Sequence, residues 1–214
     1  MTRIERLTNE SLASAAAALA NRDRHLLRIH EAYGAPPMWG RQPGFPTLLR
    51  IILEQQVSLA SAYAAFKKLK EKVGYVTPAK ILSLTDEELR SCYFSRQKII
   101  YARELAKAVQ SKQLRLNKIS IAHEDEIRLE LKKIKGIGDW TVDVYLMHAL
   151  QRTDLFPLGD IALVNSLKEI KQLHKHTTKE DMLSIAESWR PYRTIASMIL
   201  WHAYIKKRNI KLQG

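Results

Sequence analysis

The sequence predicts an all-α fold, on three observations. Apolar residues recur three and four apart, as at Leu12, Ala15, Ala16 and Leu19 and again at Leu48, Leu49, Ile52 and Leu53, which places them on one face of a helix. Residues suited to helix N-termini, among them Asn9, Thr77, Thr85, Ser95 and Thr178, stand at the starts of such runs. No stretch sustains the period-two alternation between hairpin turns that would mark strands.

The elements follow in order. Asn9 is the cap candidate for a first helix over residues 9–20, and a second is expected over 23–33. Gly34-Ala35-Pro36-Pro37 ends it, and the loop through Trp39, Gly40, Pro43, Gly44 and Pro46 is the strongest punctuation in the chain. The first boundary is expected there, giving segments 1–44, 45–150 and 151–214. From Thr47 the helical pattern resumes and runs on through Val57, Leu59, Tyr63, Phe66 and Leu69, with Lys67, Lys68, Lys70 and Lys72 reading as a solvated face. Thr77-Pro78 opens a short helix, Thr85 caps another in Thr85-Asp86-Glu87-Glu88, and Ser95 starts a longer one reaching Val109. His123-Glu124-Asp125-Glu126 begins the next helix. Three more are expected, over 161–170, 178–189 and 191–206.

Composition bounds the function. In 214 residues, 46% of them hydrophobic, there is room for one large domain or two small lobes with a real core. Lys and Arg number 35 against 22 Asp and Glu, a net charge of +13, which points to a polyanionic partner. Cys92 is the one cysteine. A single thiol excludes an intrachain disulfide and a four-cysteine zinc or iron–sulfur site, and fits a reducing cytosol. No run of 18 apolar residues suggests a membrane span, and the N-terminus is too polar and acidic for a secretory signal. The seven histidines show no ligand spacing.

The most informative stretch is residues 131–160. One helix ends near Leu131, the chain turns through Ile134-Lys135-Gly136-Ile137-Gly138, a second helix starts at Asp139, and Asp160 follows Phe156-Pro157-Leu158-Gly159. Gly136 and Gly138 supply the positive φ that so tight a reversal needs, and their missing side chains admit a close backbone. The new helix presents unpaired N–H groups and the positive end of its dipole to that gap, a place for an anion such as a nucleic-acid phosphate. The alternative is a plain helix C-cap.

Leu131, Ile134, Gly136, Ile137 and Gly138, then Asp139-Trp140-Thr141 and Phe156 to Asp160, resemble the helix-hairpin-helix and catalytic aspartate of the DNA glycosylase superfamily named for them. The type most resembled is 3-methyladenine DNA glycosylase II. Ile52-Leu53-Glu54-Gln55-Gln56-Val57-Ser58, Trp189-Arg190-Pro191-Tyr192-Arg193 and Trp201 extend the resemblance over residues 40–205. It implies two helical lobes, the N-terminal helices packing with the C-terminal ones, and Asp160 in the cleft between them. It also implies the compact form, without a separate N-terminal β-rich domain.

The resemblance assigns roles. Asp160 would stabilise the sugar cation, orient or deprotonate water, or both; read alone, it is a helix N-cap. Trp140 occupies the place of the lysine that attacks C1′ in strand-cutting branches, so the implied enzyme is monofunctional and leaves an abasic site. Trp140 and Trp201 fall on base-pocket positions, with Trp39 and Tyr145 as further candidates. Tyr145 lies one residue past the family's pocket tyrosine, which here is Val144, so a core position is favoured for it.

Extruding the target base requires filling its gap, and Gln56 matches the inserting residue; otherwise it is a polar helix end, and Ser58 a cap or packing residue. Phosphate contacts are expected from the N–H groups of Gly136, Ile137, Gly138 and Trp140, helped by Lys135 and Thr141, with Ser95 and Lys98 as a second backbone contact. Arg193 is expected to be structural. The resemblance allows a monovalent cation on main-chain carbonyls near Ile134 and Ile137 and implies no cofactor. The expected enzyme is a cytoplasmic monomer acting on double-stranded DNA that holds an alkylated purine. The alternatives are the same fold acting on uracil, hypoxanthine or ethenoadenine, and a non-enzymatic DNA-binding hairpin.

Overall fold

The computed structural model describes residues 6–211. Among them are thirteen helices and no strand, with one isolated bridge between Arg6 and Arg152. The chain forms two compact units. One comprises residues 6–40 with Leu146–Lys211, the other Arg41–Tyr145.

In the first unit, α1 (Asn9–Arg22) is capped by Thr8, not by Asn9. Thr8 and Ser11 exchange side-chain to backbone hydrogen bonds, a reciprocal arrangement open to a hydroxyl at both positions. Leu12, Ala15, Ala16, Leu19 and Ala20 form its buried face, and the small alanines let α13 (Arg193–Lys207) approach. That last helix is buried without a break from Thr194 to Ala203. It also packs on α2 (Arg24–Tyr33) and α11 (Ile161–Lys171), with α12 (Lys179–Glu187) in the same unit.

Asp23 ties this unit together. It caps α2 by accepting from His25 N–H at 2.9 Å, and its other oxygen accepts from the Trp189 indole at 2.8 Å and from Lys171 at 2.5 Å. Burial opposes the carboxylate form, but the Lys171 and Trp189 hydrogen bonds outweigh it and hold the pKa below the ordinary value. Arg193 pairs with Asp154 at 2.8 Å and Glu187 at 2.8 Å, the structural use expected for it.

In the second unit, α3 (Phe45–Glu54) starts earlier than the apolar pattern from Thr47 suggests, because Pro46 sits in its first turn, where a missing N–H costs nothing. It is buried on nearly every side and stops at Glu54, where the pattern gave no sign of a stop. Ser58 then caps α4 (Leu59–Val73) by accepting from Ser61 N–H. Helices α5 (Pro78–Ser83), α6 (Asp86–Ser91) and α7 (Arg96–Gln110) follow, with α7 packed against α3, α5 and α6. The four-residue α8 (Leu116–Ile119), which no sequence signal announced, leads to α9 (Glu124–Lys132) and α10 (Asp139–His148). The division between units falls within α10, whose last three residues belong to the first.

Candidate functional site

In the second unit the turn between α9 and α10 sits against the end of α3. Ile134 N–H donates to Leu131 O at 3.1 Å and Ile137 N–H to Ile134 O at 3.0 Å, winding the chain tightly. Gly136 alone takes the left-handed conformation, at φ 93°; the expectation that Gly138 shares it is corrected. A Cβ on Gly136 would lie 2.2 Å from Cγ of Tyr101, whose ring covers the bare α-carbon, whereas a Cβ on Gly138 would meet nothing. Gly136 is therefore fixed by packing and conformation together. Gly138 is an exposed opening onto the start of α10.

Two side chains fasten this turn to α3. Gln55 Nε2 donates to Gly136 O at 2.8 Å and to the Thr141 hydroxyl at 2.9 Å. Lys98 Nζ donates to Ile52 O and Gln55 O, each at 3.0 Å, and to Leu53 O. Burial pushes the Lys98 ammonium down to about 8, against the pull of Glu54. Between these anchors Gln56 is exposed in a left-handed conformation, φ 56°. A cavity of about 440 Å³ opens here, lined by Gln56, Ser95, Lys98, Tyr101 and the Gly136–Gly138 backbone.

Three of the sites expected to bind DNA are thereby revised. Thr141 is 1% exposed and its hydroxyl turns inward to Gln55, so it supports the turn rather than meeting a phosphate. The Ile137 N–H is used within the turn, on the Ile134 carbonyl that was offered to a cation. The Lys98 ammonium is engaged on backbone carbonyls. Ser95 caps α7 by accepting from Lys98 N–H, while Lys135 is exposed and Trp140 half-buried at the start of α10. Arg128 pairs with Asp143 across α9 and α10; burial raises the Asp143 pKa although Arg128 opposes it. Tyr145 is fully buried, accepts from Gly44 N–H at 3.2 Å, and is pushed up to about 12 by that burial. It is a core residue and not part of a base pocket.

In the first unit the carboxylate of Asp160 stands at the N-terminus of α11. Its Oδ1 accepts from Leu163 N–H at 2.9 Å and from the Trp201 indole Nε1–H at 3.0 Å. The cap reading and the resemblance thus meet in one side chain. Trp201 is flanked by two rings. His148 stacks on it at 5.4 Å with a 28° interplanar angle, and Trp39 meets it edge-on at 6.5 Å. The Trp39 carbonyl lies 2.8 Å from His148 Nδ1, which closes the ring of contacts. Trp39 also meets His202 edge-on at 6.4 Å, and burial together with Lys206 lowers the His202 pKa.

Sequence reasoning brought Asp160, Trp201 and Trp39 to one place but gave His148 no role. It also passed over Gln55 and Tyr101. Gln55 carried one available signal, a polar residue closing an otherwise apolar helix beside the wedge candidate Gln56. Tyr101 carried none, since its partner is a backbone with no side chain.

The sequence matches the HhH-GPD superfamily of base excision DNA repair proteins over residues 49–191, well over half of the chain. A Bacillus subtilis protein named, provisionally, as a DNA-3-methyladenine glycosylase is 33% identical over 83% of this chain, which spans 65% of that relative's length. DNA-3-methyladenine glycosylase 1 of Schizosaccharomyces pombe is 29% identical over 83% of this chain and 80% of its own. Among solved structures, S. pombe 3-methyladenine DNA glycosylase in complex with abasic DNA superposes with a TM-score of 0.83 at 27% identity, covering 94% of this chain and 99% of that one. A Bacillus halodurans DNA-3-methyladenine glycosidase gives 0.72 at 27% identity, covering 93% of each.

Proposed function

The chain belongs to the HhH-GPD superfamily of base excision DNA repair proteins, and from that premise we propose that it is a monofunctional DNA N-glycosylase that removes alkylated purines. The observation that carries this reading is the pairing of Asp160 with Trp201: a carboxylate held by an indole N–H, with aromatic rings around that indole.

The chemistry asks for those parts. As the base leaves, the deoxyribose acquires oxocarbenium character, and a fixed carboxylate near C1′ stabilises it without reorganisation. Asp160 is fixed by two donors, the Leu163 N–H and the Trp201 Nε1–H. Alkylation at N3 or N7 makes a purine cationic, so it departs readily and is attracted to indole faces by about 0.5–2 kcal/mol per contact. Trp201 and Trp39 are the proposed pocket residues, with His148 setting the plane of Trp201. With tryptophan at position 140 no amine is offered for Schiff-base chemistry there, and the product is an abasic site.

The DNA contacts follow from the turn. Lys135 is exposed, and the N-terminus of α10 is open above Gly138, a geometry that suits a phosphate. Gln56, exposed and left-handed, is proposed to fill the duplex when the damaged nucleotide is extruded. The S. pombe relative, whose structure is of a complex with abasic DNA, supports DNA as the partner.

The test is single-turnover base release from duplexes carrying 7-methylguanine, 3-methyladenine, ethenoadenine, hypoxanthine or uracil. Asp160→Asn is the apt control because asparagine caps helices as well as aspartate does and can accept from the same donors. It removes the charge while the Oδ1 contacts can remain. Release of methylated purines that disappears in Asp160→Asn is the expected result. Release of uracil or hypoxanthine alone would reassign the substrate, and DNA binding without release of any base would leave a binding module.

A further inference from the structure

A helix ends with carbonyls that have no partner within it, and a glycine or water commonly satisfies them. At the end of α3 a side chain takes this part. Gln55 leaves the helix in an extended conformation, at φ −61° and ψ 125°, and Gln56 follows in a left-handed one unusual for a residue with a side chain. The Lys98 ammonium, from the first turn of α7, donates to Ile52 O, Leu53 O and Gln55 O. Three donors on one nitrogen meet three acceptors. Gln55 is then bound at both ends, its carbonyl to Lys98 and its side chain to Gly136 O and Thr141.

We propose that Lys98 is a positioning residue, a clamp on the end of α3 that holds Gln56 in its protruding conformation and keeps that turn in register with the Gly136 hairpin. The proposal rests on the reading that Gln56 enters the duplex. It gives Lys98 a role different from that of a basic residue gripping the phosphate backbone, and the engagement of its ammonium on three backbone carbonyls agrees with it, since a phosphate-gripping lysine keeps its donors for DNA. The carbonyls that receive Lys98 converge on a point. A tetrahedral ammonium fits such a point, while a planar guanidinium spreads its donors in a fork.

The test begins on the unaltered protein. Acetylation of lysines followed by mass spectrometry, with and without a duplex containing an abasic-site analogue, should find Lys98 slow to react in both states and Lys135 protected by DNA. Fast labelling of Lys98 in the free protein with protection by DNA would overturn the proposal. Because this arm needs no variant and no turnover, it judges Lys98 even if no substrate is cleaved and the functional reading itself fails.

A second arm uses Lys98→Met, Lys98→Arg, Gln56→Ala and the double variant Lys98→Met/Gln56→Ala, each checked for folding by circular dichroism. In Lys98→Met and Lys98→Arg, affinity for undamaged duplex and its salt dependence should stay as in the wild type. Single-turnover release should fall by up to about a hundredfold, the scale of a misplaced active group. Arg should not restore it, and the double variant should be no slower than Gln56→Ala alone. A salt slope shallower by about 1 in Lys98→Met, full rescue by Arg, or rate losses that multiply would each return Lys98 to the phosphate contacts.

Discussion

Adding a single methyl group at Gly136 is penalised twice. The backbone stands at φ 93° and the new carbon would fall 2.2 Å from the Tyr101 ring. Gly136→Ala should destabilise the second unit by about 2–4 kcal/mol, combining the strain of a left-handed alanine with overpacking; urea unfolding measures it. Gly138→Ala, by contrast, should cost less than about 1 kcal/mol, having open space and no positive φ. The need for a glycine in the turn was legible in the sequence, because a reversal that short demands positive φ. Which of the two glycines served, and why, was not: the answer lies in Tyr101, far away in the chain. Trp140 is the residue proposed to separate hydrolysis from lyase chemistry. Trp140→Lys should give no borohydride-trapped complex with DNA, since the site around α10 was not built to lower a lysine's pKa.

At the level of elements, hydrogen bonds to helix ends decide where chemistry can stand. Capped starts at Thr77, Thr85, Ser95 and Thr178 were readable because side-chain oxygens before an apolar run have few other uses. The gap between α3 and α4 was hidden, as Val57 and Leu59 continue the apolar spacing although both are exposed. Two elements have a stability that depends on pH, with slopes of the same sign in different windows. Asp23, lowered from 3.8, stabilises the α2 start fully above that value and loses its contribution as pH falls through the folded pKa. Asp23→Asn should therefore cost about 3 kcal/mol at pH 7, with Lys171 left unpaired, and the difference from wild type should shrink in urea melts below pH 4. Lys98, lowered from 10.5 to about 8, acts with the same sign in a more alkaline window. The unfolded chain binds its proton more tightly between those values, so its share of stability rises with pH across that window. Comparing wild type with Lys98→Met at pH 7.5 and 9.5 should find the wild type gaining.

For the whole molecule, the net charge of +13 means that the proposed binding to duplex DNA should weaken steeply with salt. Each phosphate neutralised contributes about −0.9 to the log–log slope, so Lys135→Ala should flatten the slope by about 1 while leaving the base-release rate at saturation unchanged. A titration at four salt concentrations decides this. The all-α class was legible in full, because capping and three-four spacing agree along nearly the whole chain. Membership of a unit was legible only where punctuation was strong, as in the loop that holds Gly40; the second division falls within α10, where an uninterrupted helix gives no sign of it. Cys92, the sole thiol, is 1% exposed at the end of α6, and this makes the protein its own reporter. A bulky aromatic disulfide can reach that sulfur only when the packing of α6 on α7 opens, so the rate of thiol release is a direct clock of local unfolding in the unit that carries the hairpin. It also leaves the surface free for chemistry. A cysteine placed on an exposed position such as Lys135 becomes the one fast-reacting thiol, ready for a dye that follows DNA arriving and leaving.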